Sequence, residues 1–143
     1  MTDAMITALL EHIFQNENMP GLGDATGLRS SSLDGYFYFG LHTADPKEYD
    51  AEVSYTGYTR VAVQRSPYGF TVAGNRASNY SDIQFPERLN TGTTTATHFG
   101  IHYESTGEGN LFASEELAVP LVITQGVLPP YGPGNMIMEF NRV

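Results

Sequence analysis

The chain contains no cysteine and no tryptophan. Without cysteine there can be no disulfide, no thiol nucleophile and no thiolate metal ligand. The composition suits synthesis and folding in a reducing cytoplasm. Basic residues are almost as scarce. One lysine and six dispersed arginines stand against 16 acidic side chains, for a net charge of −9. Phosphate neutralisation requires clustered Lys and Arg, so no nucleic-acid partner is expected. No apolar run approaches the roughly 20 residues of a spanning helix, so no membrane partner is expected either. The first residues lack a charged region followed by an apolar core and a cleavage site, and no signal peptide is expected. Internal repeats, low-complexity tracts and dividing linkers are likewise missing. Residues 1–143 are therefore expected to form a single domain, long enough to close its own core.

What is present is a folded composition, 41% hydrophobic and only 16% charged, which argues against disorder. Fifteen glycines and eight prolines favour many short strands over a few long helices. One helix is predicted at the start, within 1–18. In "TDAMITALLEHIFQNE", Ile6, Leu9, Leu10 and Ile13 recur at helical spacing, and Met5 and Phe14 widen the stripe. Thr2 or Asp3 can cap it, Asp3 also suits the positive end of its dipole, and Asn18 and Pro20 mark its end. Residues 19–34, "MPGLGDATGLRSSSLD", keep no periodicity and read as a long irregular connection. Such segments are often functional or ordered by a partner. Leu22, Leu28 and Leu33 give it apolar anchors, so it is read either as a contact segment or as a plain surface loop.

From residue 35 the period becomes two. "YFYFGLH" sets Phe37, Phe39 and Leu41 against Tyr36, Tyr38 and His42, and Asp45 and Pro46 of "TADP" then break the strand. "YTRVAVQRS", "GFTVAG", "SDIQFPE", "ATHFGIHYE", "LFASEEL", "VPLVITQG" and "NMIMEFNRV" bring the count to about eight strands. "STGEGN" reads as a hairpin loop, and the prolines and glycines of "VLPPYGPG" are expected to forbid regular pairing. The expected fold is all-β, a jelly-roll-like antiparallel β-sandwich with one N-terminal α-helix.

Chemistry finds little support in the motifs. "GLHTADP" places His42 and Asp45 three residues apart, but it reads best as a strand end with a proline turn. His98 and His102, four apart on a strand, sit about 13 Å from each other at ~3.3 Å per residue, too far for one metal. A zinc site would need His42 and a further ligand beside only one of them, brought there by cross-strand pairing. Half-exposed strand histidines are the expectation, with no metal site. No serine lies in Gly-x-Ser-x-Gly. The carboxylates Asp45, Glu48, Asp50, Glu52, Glu115 and Glu116 show no facing pair, and "DPKEYDAE" departs from the EF-hand spacing, so a solvated acidic turn is expected there. "GLGDATG" lacks the preceding strand and the Lys-Ser/Thr of a phosphate loop. No catalytic residue and no cofactor are predicted. Nine tyrosines favour contact surfaces instead.

The order of motifs carries a resemblance. "ALLEHIFQN", "FYFGLHTADPKE", "EVSYTGYTRVAV", "SNYSDIQFPE" and "ATHFGIHYESTGEGNLF", followed by a closing β-hairpin, resemble a family of small tailed-bacteriophage virion proteins. It covers roughly residues 4 to 125 and is strongest at Tyr38–Pro46, Glu52–Val63 and Thr97–Phe112. Members are labelled head decoration proteins or tail fibre proteins. The resemblance implies a β-sandwich without enzymatic activity. The family label does not settle the role. Because one compact domain lacks the repetitive, elongated shaft pattern expected of a fibre, the first expectation is a capsid decoration or cement protein on the outer surface of the virion, a homodimer or homotrimer bridging subunits of the major capsid protein. A tail-associated fibre or tail-tip module is the alternative. The 19–34 loop and "VLPPYGPGN" are long for the family pattern, and contacts with partners are expected there, at Leu22, Leu28, Leu33 and Tyr131.

Overall fold

The computed structural model describes residues 1–48, 50–127, 130–132 and 134–141. Among them are one helix, α1 (Asp3–Gln15), and nine strands: β1 (Tyr36–His42), β2 (Val61–Gln64), β3 (Phe70–Ala73), β4 (Arg76–Asn79), β5 (Ile83–Gln84), β6 (Thr93–His102), β7 (Leu111–Thr124), β8 (Pro130–Tyr131) and β9 (Ile137–Glu139). They pair in the orders β2-β1-β6-β7, β3-β4-β9 and β5-β8. The fold is all-β and antiparallel with a single N-terminal helix, consistent with the expected sandwich class. The contacts group into two compact units, each assembled from separate stretches of chain.

One unit comprises Met1–Tyr36, Val63–Ser81 and Pro133–Val143. Here α1 lies against β3 and β4. Its stripe buries Ile6, Leu10 and Phe14, and Phe70, Ala77, Met136 and Met138 complete the core. Thr2 is the N-cap, its hydroxyl accepting from the Met5 amide at 3.3 Å. The helix ends at Asn16, in the left-handed conformation at φ 56°, earlier than the Asn18 and Pro20 signals suggest. Arg65 terminates it chemically, donating to the carbonyls of Ile13 at 2.6 Å and His12 at 3.1 Å, which otherwise lack helical partners.

The 19–34 segment is irregular but fastened. Met19 and Leu28 exchange backbone hydrogen bonds of 2.8 and 2.9 Å. Asp24 accepts from the Thr26 amide at 2.8 Å, and Asn16 grips Ser31 through both its side-chain atoms. Gly27 is at φ +76°, and a Cβ there would lie 2.3 Å from the Met19 carbonyl oxygen, so only glycine closes this loop.

The other unit comprises Phe37–Ala62 and Asp82–Gly132. Its core is built on Phe39, Leu41, Ile83, Phe85, Phe99, Ile101 and Ile123. "LFASEEL" and "VPLVITQG" are one strand, not two. β7 pairs with β6 in two registers, Glu116 opposite His98 and Leu121 opposite Ala96. The residues between them, Pro120 included, bulge opposite Thr97, where a missing amide breaks no ladder bond. "VLPPYGPG" also pairs in part: Pro130 and Tyr131 face Gln84 and Ile83, and proline is tolerated in so short an edge. Expectations for Tyr49, for Leu128, Pro129 and Pro133 of that stretch, and for Arg142 and Val143 of the last strand lie outside the described residues.

Candidate functional site

The β1–β6 register pairs Tyr38 with His102, Gly40 with Gly100 and His42 with His98. Alternate residues share a face, so His42 and His102 stand diagonally on either side of the glycine pair. Their rings meet above it, Nε2 to Nε2 at 3.2 Å, with centroids 5.4 Å apart and planes 24° from parallel. A Cβ on Gly100 would lie 2.8 Å from His42 Nε2 and 3.0 Å from His102 Nε2, and one on Gly40 would lie 3.2 Å from His102 Nε2. The glycines make the room. Gly100→Ala is therefore expected to push the rings apart and cost about 1–3 kcal/mol by overpacking. It is read from the urea midpoint, and an unchanged midpoint would mean the rings are free to move aside.

Glu52 joins them through an antiparallel bridge between His42 and Glu52, with the Val53 amide donating to the Leu41 carbonyl at 2.9 Å. Its carboxylate accepts from the Tyr58 hydroxyl at 2.7 Å and from Arg60 Nε at 2.9 Å and Nη2 at 2.7 Å. Arg60 spends its other donors on Asn110 Oδ1, the Glu104 carbonyl and the Gly107 carbonyl. All five guanidinium N–H groups are thereby bonded. Its side chain is only 4% exposed, against 19% for Glu52.

Asn110 is held as firmly, its amide nitrogen donating to the carbonyls of Thr106 and Gly107, both at 3.0 Å. That leaves Oδ1 to accept from Arg60 and, at 3.1 Å, from His102 Nδ1. His102 thus carries its proton on Nδ1 and presents the Nε2 lone pair to His42. His42 Nδ1 is buried without a hydrogen-bond partner.

Burial, aided by the Arg60 charge, holds the His102 imidazole below the usual histidine range. Burial against the opposing pull of Glu52 brings His42 down to about 4. Both rings are therefore neutral near pH 7. Burial by itself would raise the Glu52 carboxyl, but the Arg60 and Tyr58 hydrogen bonds together with the Arg60 charge outweigh it and keep the group low. Burial and then Glu52 push the Tyr58 phenol far up. The result is a locked polar network whose two imidazole nitrogens and one carboxylate oxygen lie within 4.8 Å of one another.

Several expectations change. His42 and His102 are buried, 2% and 4% exposed, rather than half-exposed, because both faces of β1 and β6 are covered at this end. Glu52 is no part of a solvated acidic turn. Asp45, by contrast, closes its own turn as expected, accepting from the Lys47 amide at 3.0 Å. His98 bonds the neighbouring Thr97 hydroxyl at 2.8 Å and stays outside the cluster. Among the expected contact residues, Leu22 and Leu33 are exposed, at 45% and 82%, and Leu28 is half-buried in the loop closure. Tyr131 packs edge-on against Phe85 with centroids 6.4 Å apart, and burial pushes its phenol up to about 12.

No helix among the described residues is long and apolar enough to cross a membrane. No curated protein matches the chain. A family model described as podophage GP4 fiber I protein gp80 matches residues 1–129, taking in α1, the fastened loop and the whole histidine cluster. The resemblance to small tailed-phage virion proteins is borne out, and over that span the chain belongs to the podophage GP4 fiber I protein gp80 family, a family of phage structural fibre proteins.

Proposed function

We propose that the protein is a structural component of the phage tail, a fibre module that acts by assembly and attachment and performs no catalysis. The observation that carries this reading is the family match over residues 1–129, whose description is that of a fibre. It favours the tail alternative over the capsid decoration role that the sequence motifs put first. The buried network suits such a role: the carboxylate, guanidinium and amide groups satisfy one another, so the residues 104–110 turn is held rigid and little polar chemistry is left for a substrate. Exposed apolar side chains supply contact surface. Leu22 and Leu33 project from a loop with its own hydrogen bonds, and Val119 and Val122 on the edge strand β7 are 74% and 54% exposed. Self-association as a dimer or trimer belongs to the same proposal, since several linked copies raise avidity without new contacts.

Antibody labelling of intact particles, with mass spectrometry of separated heads and tails, tests it. Label confined to the tail, at few copies per particle, is the expected result. Label spread over the head, with copy number tracking the major capsid protein, would overturn it and restore the decoration role.

A further inference from the structure

We propose that His42, His102 and Glu52 form a binding site for a transition-metal dication, zinc foremost, that staples β1, β6 and the 51–53 segment together. In tetrahedral zinc sites each nitrogen lies about 2.0–2.1 Å from the metal, which places two imidazole nitrogens about 3.3 Å apart. The two Nε2 atoms here are 3.2 Å apart, and a Glu52 oxygen completes a set of three donors within 4.8 Å.

The surroundings are arranged as a metal's outer shell would be. Asn110 accepts from His102 Nδ1 and is itself fixed by four hydrogen bonds, so the His102 Nε2 lone pair is aimed permanently at the centre. His42 Nδ1 has no partner, so the tautomer of His42 is set at Nε2 alone. Its proton sits on Nε2 when the rings bond each other and moves to Nδ1 when a metal takes Nε2. The Glu52 oxygen beside the rings over Gly40 is Oε1; it also accepts from Tyr58 and Arg60 Nε, so taking a metal exchanges one of those bonds for the metal. Gly40 and Gly100 keep side-chain atoms out of the space between the rings. Two imidazoles and one carboxylate select zinc, nickel or copper over magnesium or calcium. The Arg60 charge on Glu52 makes the site weaker than a zinc centre built on thiolates. A chain without cysteine has only such ligands for a metal staple.

The test is calorimetric titration of tag-free, chelator-treated protein with zinc chloride and, separately, magnesium chloride. One equivalent of zinc should bind saturably, raise the melting temperature and find no magnesium counterpart. His42→Ala and His102→Ala should abolish binding. Asn110→Ala should weaken it about 10–100-fold, and His98→Ala should leave it unchanged. Where the histidine variants fail to fold, cobalt(II) added to the unmodified protein gives the answer: tetrahedral visible absorption bands that zinc displaces are expected. Absence of saturable zinc binding, a colourless cobalt titration, or binding lost on His98→Ala instead would each overturn the site and leave the rings as a hydrogen-bonded pair.

Discussion

Arg60→Met is expected to cost about 3–5 kcal/mol, the usual penalty for removing one partner of a buried ion pair, and to lower the melting temperature by roughly 10–15 °C at this chain length. The reason lies in what is left behind. Glu52 loses two of its three hydrogen bonds and keeps a charge that burial penalises. Asn110 loses its Arg60 bond, and the carbonyls of Glu104 and Gly107 lose the donor that anchors the hairpin turn. A second substitution distinguishes this account from simple loss of packing. Arg60→Met combined with Glu52→Leu removes both charges, and buried pairs replaced whole by apolar residues are often neutral or stabilising. Most of the loss should then be recovered, less what the stranded turn carbonyls cost. Chemical denaturation of the wild type and the two variants measures it. A double variant as unstable as Arg60→Met would locate the cost in the turn and not in the ion pair.

How far the sequence predicts this site depends on how local each signal is. The helix is legible because Ile6, Leu10 and Phe14 recur at its own period and Thr2 precedes it. β1 and β6 are legible because Phe37, Phe39 and Leu41, then Phe99 and Ile101, alternate along their strands, and the glycine-bearing turn after β6 marks the hairpin to β7. β4, "RASN", escapes notice because Ala77 is its only apolar side chain, and the strand is specified by its neighbours β3 and β9. β7 reads as two strands because Pro120 interrupts it, and only the pairing with β6 reveals a bulge. The cluster is the least local feature. His42 and His102 are 60 residues apart and meet diagonally, a relation fixed by register and by nothing in either segment alone. The latent signal is the shared pattern Gly-x-His in "GLH" and "GIH": on antiparallel neighbours, paired glycines clear the path between diagonal histidines. Glu52 is hidden differently, inside an acidic run whose other members face solvent, and it is picked out only by the bridge to His42.

Phe14→Ala is expected to be as damaging as the loss of Arg60, about 3–5 kcal/mol, but through a different element. The ring is fully buried, 5.1 Å from Phe70 and 5.9 Å from Phe140, tilted against both. Aromatic pairs of this kind add about 0.5–1.5 kcal/mol beyond the area they bury. A helix of 13 residues is marginal alone in water, so α1 owes its stability to this contact and to its side-chain ties. The Gln15 amide donates to the Phe70 carbonyl at 2.8 Å, close to the tilted rings, and Arg65 holds the last turn. Removing the ring should therefore loosen the helix as well as lower the denaturation midpoint, with amide protection falling first along Leu10–Gln15. Phe14→Leu, which keeps most of the volume, should lose far less. A helix that keeps full amide protection in Phe14→Ala would mean the hydrogen bonds of Arg65 and Gln15, and not the aromatic contact, hold it to the sheet.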